Sequence, residues 1–315
     1  MISLRQLRSF VAVYEAGSFT AAAAREGATQ SGMSQHIKQL ETELGAALLE
    51  RQGREVAPTV AGTLYYKECL EVLKRLDAAG HGVVGNSVRG AIRIGLMPTF
   101  TRSLLAPALD KFLAAAPGAV ISVIEAYSGV LTEMTQKGEL DFAVVPAFEG
   151  ATGVSQRLLV RDREMLVRAK GRHRGHLKPV RLSELGPLKV VLPGKQNTRR
   201  RTIETYFSTN AVTVAQRLDL DAMMGTLQFV AAGDWVAILP FVMMLADLDD
   251  GRFEIRPLDA PPFYSEFVLI EPSRKVMSPA AALFAGLLKA EAALAQQVFR
   301  KRIAGNAAGS RRKGG

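Results

Sequence analysis

A chain of 315 residues exceeds one typical core of about 100 to 200 residues, and a composition of 48% apolar and 22% charged is globular, so two or three compact units are expected. A single cysteine excludes an internal disulfide, no apolar run reaches the roughly 18 residues of a membrane helix, and the first residues lack a signal peptide's apolar stretch, so a cytoplasmic protein with no membrane partner is expected. The net charge of +10 does not by itself indicate nucleic acid: residues 1–86 carry 9 basic and 9 acidic side chains, whereas residues 300–315 carry 6 basic and no acidic ones.

Leu4, Leu7, Phe10, Val11 and Tyr14 form a helical stripe that Gly17 ends. Ser18 can cap a second, short helix whose body over 20–25 is mostly alanine, which permits close approach of a neighbour; Gly27 ends it. Thr29 is placed to cap a third helix running to about residue 44, with Met33, Ile37, Leu40 and Leu44 on its buried side. Its other side carries Ser31, Ser34, Gln35 and Lys38 at i, i+3, i+4 and i+7, with Gln30 at the start and no carboxylate from 29 to 38. Taken alone that is an ordinary solvated face. Placed second in a helix, turn, helix unit, it has what a major groove requires: amides and hydroxyls for base edges, a cation for phosphate, and no repelled carboxylate. Residues 48–58 then read as two short strands around a glycine turn, a wing with Arg51 and Arg54 at its tip.

The runs Gly17-Ser18-Phe19-Thr20-Ala21-Ala22-Ala23, Thr29-Gln30-Ser31-Gly32-Met33-Ser34-Gln35-His36-Ile37, Leu40-Glu41-Thr42-Glu43-Leu44-Gly45, Leu49-Glu50-Arg51 and Thr59-Val60-Ala61-Gly62 together resemble the signature of LysR-type transcriptional regulators. The resemblance covers the first 62 residues or so. It implies that Gln30, Ser31, Ser34, Gln35 and Lys38 face double-stranded DNA, with Arg51 and Arg54 on the wing. Departures are Pro58 in place of the usual leucine, Leu49 where an aromatic is common, and Gly32 inside the helix, which costs about 1 kcal/mol relative to alanine.

With the winged helix-turn-helix assigned to 1–58, residues 59–80 read as a linker helix capped by Thr59, with a narrow stripe of Tyr65, Cys69, Val72 and Leu76 suited to helix pairing. In the resembled family this helix forms the dimer contact, and a tetramer is the expected larger assembly. Cys69 reads as a small buried apolar residue; the rival reading, a thiol sensor, lacks a second cysteine to resolve it. Glycines in 81–90 make a hinge.

From 91 to 303 strands and helices alternate, the mark of an α/β domain. Strands are expected over 91–96, 120–125, 142–145, 190–192, 212–218, 236–239 and 267–270, and helices over 104–115, 130–137, 198–207, 222–231 and 278–302. Ligands in open α/β sheets bind beyond the carboxyl ends of strands, where three exits carry polar groups: Thr99, Phe100 and Thr101; Ser128; and Asn197 with Thr198. Each alone is a routine helix cap, and together they suggest a pocket. Gly138-Glu139-Leu140-Asp141-Phe142-Ala143, residues 230–240 and Ser278-Pro279-Ala280 resemble the family's regulatory domain. The resemblance implies a C-terminal α/β, periplasmic-binding-protein-like domain of two subdomains, with Thr99, Ser128 and Thr198 among its effector-binding positions.

Lys195 and Arg199 to Arg201 suggest an anionic small-molecule effector, although a solvated or DNA-facing charge run reads as well. His173 and His176 sit among basic residues, which favours a solvated loop over a metal site. Residues 304–315 read as a basic disordered tail, solubilising or in weak contact with phosphate. No phosphate loop, nucleophile elbow or dinucleotide fingerprint is present, so neither catalytic residues nor a cofactor are expected. The function expected is DNA-binding regulation controlled by the effector, with RNA polymerase a partner open to such a protein. The rivals are a cytoplasmic enzyme or a solute-binding module using the same cleft.

Overall fold

The computed structural model describes residues 1–52, 55–84, 90–150, 152–171, 175–195 and 197–311, with only the backbone described at 51, 52, 55, 80–84 and 304–311. The N-terminal unit contains α1 (Leu4–Ala16), α2 (Phe19–Glu26), α3 (Gln30–Leu44) and a wing of β1 (Leu49–Gln52) paired antiparallel with β2 (Glu55–Pro58). Ser3, Ser18 and Thr29 cap the three helices by accepting from backbone N–H groups of their first turns. Phe10, Val13, Met33, Ile37, Leu40 and Leu48 close a core that also takes Cys69 and Leu73 from α4 (Val60–Val84). Gly62 is what lets α4 pass over the start of the wing: a Cβ there would lie 1.9 Å from the carbonyl oxygen of Leu48.

The stripe expected along the linker helix is divided. Cys69 and Leu73 turn into the N-terminal core, whereas Val60 (82% exposed), Leu64 (62%), Val72 and Leu76 face outward. Burial pushes the Cys69 thiol up to about 12, so it stays protonated at neutral pH. The helix also runs to Val84, past the end expected at 80; residues 85–89 of the expected hinge lie outside the described residues.

The C-terminal domain runs β3 (Gly90–Leu96), the single turn α5 (Pro98–Phe100), α6 (Ala106–Ala115), β4 (Ala119–Glu125), α7 (Ser128–Gln136) and β5 (Phe142–Pro146). It continues through β6 (Val154–Ala169), β7 (Leu188–Leu192), α8 (Thr198–Thr209), β8 (Val214–Asp219), α9 (Met223–Ala232) and β9 (Val236–Pro240). The short α10 (Phe241–Met244), β10 (Phe253–Pro257), β11 (Tyr264–Pro272) and α11 (Pro279–Arg311) complete it. The strand order is β4-β3-β5-β11-β6-β9-β7-β8, with β10 beside β6. β3, β4 and β5 are mutually parallel in one lobe, as are β7, β8 and β9 in the other; the antiparallel pair β6 and β11 runs between them. Phe112, Phe142, Phe267 and Phe284 fill the first lobe, and Met165, Val190, Ile203 and Phe253 are buried in the second.

Two strands, β6 and β10, were not expected. β6 hides in the sequence because Asp162, Arg163 and Glu164 break its apolar pattern, yet all three are buried. Glu164 holds the Arg199 guanidinium at 2.7 Å, and Asp162 accepts from the Val242 N–H and the Gln296 amide. At the other end of the chain α11 continues to Arg311, through most of the segment expected as a tail; residues 312–315 lie outside the described residues.

The N-terminal unit docks on the first lobe through Glu15. This carboxylate, at the end of α1, receives Arg25, Arg274, the Tyr66 hydroxyl and the Ser273 hydroxyl, and Arg274 also reaches Glu26. Burial pushes the Glu15 carboxyl up from its ordinary value, while the charge of Arg25 opposes that shift.

Candidate functional site

Two regions carry the sequence-predicted residues. On α3, Ser31, Gln35 and Lys38 are exposed and Ser34 is half-buried, turned away from Met33, Ile37 and Leu40, and Gln30 is exposed at the helix's first position. His36, which the sequence reading left aside, fixes the helix to α1: its Nδ1 is 2.9 Å from the Ser9 hydroxyl. Glu41, the first acid after the polar face, is turned back to the wing, where one carboxylate oxygen accepts from the N–H groups of Leu48 (2.7 Å) and Leu49 (3.1 Å). The acid next to the polar face is thereby engaged in holding β1. Gly32 has a local reason: a Cβ would meet the capping hydroxyl of Thr29 at 3.0 Å. Of the wing residues, Arg54 and the side chain of Arg51 lie outside the described residues.

The second region is a cleft between the lobes, at the carboxyl ends of β3 and β7. Its outer chamber, about 550 Å³, is lined by Thr101, Arg102, Glu125 and Tyr127 from the first lobe and by Asp221, Met223 and Met224 from the second. An inner chamber of about 20 Å³ lies against Thr99, Asn197, Arg199 and Thr226. The predicted residues divide accordingly. Thr99, Thr101 and Asn197 line the cleft. Phe100 does not: it is fully buried and meets Phe267 edge-on at 5.0 Å, a core contact. Ser128 is buried at the start of α7, and Thr198 is exposed; neither is among the residues lining the two chambers.

Thr226 and Asp221 were missed because α9 and the turn before it become part of the cleft only when the second lobe folds back. Of the basic residues that suggested an anionic ligand, two are paired with acids and two lie outside the chambers. Arg199 is paired with Glu164, Arg200 is bound to Asp219 and Glu204, and Lys195 and Arg201 are exposed outside the two linings. Arg102, the basic residue of the outer chamber, is tied to the buried Asp247 and to the carbonyl of Met243. Among the described residues no group of acids, histidines or cysteine could hold a metal ion, and no helix is long and apolar enough to cross a membrane.

Residues 4–63 match the profile of the bacterial regulatory helix-turn-helix protein, lysR family, and residues 85–293 that of the LysR substrate binding domain. The nitrogen assimilation regulatory protein nac of Escherichia coli is 29% identical over 242 residues, covering 76% of this chain and 78% of that one. The HTH-type transcriptional regulator BenM of Acinetobacter baylyi is 29% identical over 245 residues, 76% and 80% of the two chains. Full-length CbnR solved with its target DNA shares the fold, with a TM-score of 0.53 at 21% identity over 92% of this chain and 99% of that one.

Proposed function

The chain belongs to the LysR family of transcription regulators, and on that premise we propose that α3 enters the major groove of an operator while a ligand in the interlobe cleft sets the regulatory state. The observation that carries the first half is the polar surface of Gln30, Ser31, Gln35 and Lys38 with the half-buried Ser34, which contains no carboxylate from 29 to 38 and whose next acid, Glu41, is engaged with the wing. Arg51 and Arg54 on the wing supply phosphate or minor-groove contacts. That CbnR is solved with its target DNA supports this reading.

Self-association is carried by α4, whose Val60, Leu64, Val72 and Leu76 remain exposed at spacings of four, eight and four. A dimer formed there pairs two recognition helices on a two-fold operator, and a tetramer doubles the arrangement. Closure of the lobes on the ligand, between Thr99, Thr101 and Asn197 and the facing α9, changes how those DNA-binding units are spaced. RNA polymerase is the further contact such a regulator makes, in the cytoplasm. An enzyme or a free-standing solute-binding module is not favoured: the curated relatives are transcription regulators.

The test is anisotropy on an operator fragment mapped by footprinting. Gln35→Ala is expected to cost about 1–3 kcal/mol and relax preference at one base position. Lys38→Ala is expected to weaken all sequences alike and to lower the salt slope by about 1. Footprints without half-site symmetry, or wild-type binding by both variants, overturn the reading.

A further inference from the structure

Resting on the reading of the cleft as the effector site, we infer that its ligand is an organic ammonium compound with a hydrogen-bond acceptor at its other end, the class to which small amino acids belong. The outer chamber carries two carboxylates from opposite lobes, Glu125 at the end of β4 and Asp221 after β8. Glu125 accepts from the Thr101 hydroxyl, and Asp221 accepts from the Gly194 N–H at 2.8 Å; neither has an ion-pair partner among the described residues. Asp247 neutralises Arg102, so the chamber holds uncompensated negative charge. Both carboxylates are exposed to the chamber, and such charge repels an anion and attracts a cation from both sides. Tyr127 also lines the chamber, and an aromatic ring beside carboxylates is a surface that favours an ammonium group. Its phenol is pushed up first by burial and then by the charge of Asp221, so the negative field reaches it.

The inner chamber makes the opposite demand. Thr99 is 1% exposed and Thr226 5%, and among the described residues neither hydroxyl has a hydrogen-bond partner. The Asn197 carbonyl oxygen already accepts from the Arg199 N–H, which leaves its amide hydrogens as donors. Arg199 spends Nη2 on Glu164 and on the carbonyl of Ile238, while its buried Nε has no partner. A buried donor left unpaired, as Arg199 Nε is, is costly, and a ligand oxygen in reach of it and of the Thr99, Thr226 and Asn197 groups beside the chamber relieves it. A space of about 20 Å³ admits one small group such as a carboxylate or carbonyl oxygen, and the ammonium then points outward to Glu125 and Asp221.

The full-length protein is titrated in a calorimeter with the standard amino acids, linear diamines and linear dicarboxylates. Amino acids are expected to bind, and linear diamines, which lack the acceptor, to bind at least about tenfold more weakly. Asp221→Asn and Glu125→Gln are each expected to weaken amino-acid binding about tenfold. Diamines binding as tightly as amino acids overturn the acceptor half of the inference. Both variants keep the oxygen that accepts from Gly194 or Thr101, so the fold is retained. Binding confined to dicarboxylates, amine binding unchanged in both variants, or no binder in any of the three sets overturns the inference. Thr99→Val separates this from the reading beneath it. A dicarboxylate lost on Thr99→Val removes the ammonium assignment and leaves the cleft as effector site; a ligand indifferent to all three substitutions removes both.

Discussion

The wing's orientation depends on Glu41, and its removal has a calculable effect. One carboxylate oxygen accepts two N–H groups, at 2.7 and 3.1 Å, where β1 begins, and Leu48 is buried. Hydrogen bonds to a charged group contribute about 1.5–3 kcal/mol each, so Glu41→Ala is expected to destabilise the local structure by about 3 kcal/mol at the lower bound. Local opening then accelerates exchange of the Leu48 and Leu49 amides by about 100-fold, which hydrogen–deuterium exchange reads directly. Glu41→Gln keeps an oxygen in the same place and loses only the charge, so its amides are expected to exchange within about tenfold of the wild type. Operator affinity should fall in the same order, because a wing no longer fixed to α3 must be ordered on binding. Wild-type protection of both amides in Glu41→Ala would refute the reasoning.

Gly62→Ala places a Cβ 1.9 Å from a backbone oxygen that cannot rotate away, so α4 must shift from the wing; a loss of about 1–3 kcal/mol and a lower melting temperature are expected, and an unchanged melt argues against the close contact. Asp162 gives a pH signature. Burial pushes its carboxyl up to about 7, so as pH rises from about 4 the unfolded chain loses this proton first and the folded state loses relative stability until about pH 7, where the effect levels off. About three pKa units correspond to at most about 4 kcal/mol. Asp162→Asn is expected to flatten that decline; a wild-type-minus-variant difference in denaturation midpoint that stays constant from pH 4 to 8 would contradict it.

Much of the N-terminal half is legible in sequence because its signals are local. Ser18 and Thr29 cap the helices that follow them, Met33, Ile37 and Leu40 mark the buried side of α3, and the polar face follows by subtraction. The cleft is less legible. Thr99 and Asn197 could be placed from strand ends, but Phe100 beside them belongs to the core, and no periodicity separates a residue aimed into a cleft from one aimed under it. β6 was hidden by charges that are buried only because partners distant in sequence, Arg199 and Gln296, arrive to satisfy them.

Sequence by itself therefore determined the helix-turn-helix, the acid-free face of α3, the family and the alternating α/β order, all of which rest on spacings within one element or between adjacent ones. Which charges stay unpaired beside the cleft is decided by tertiary structure. Arg199 and Arg200 look like ligand-binding cations along the chain, yet folding pairs them with Glu164 and Asp219, while Glu125 and Asp221 beside the chamber have no ion-pair partner among the described residues. Charge in a site is what remains after internal pairing, and that pairing is long-range.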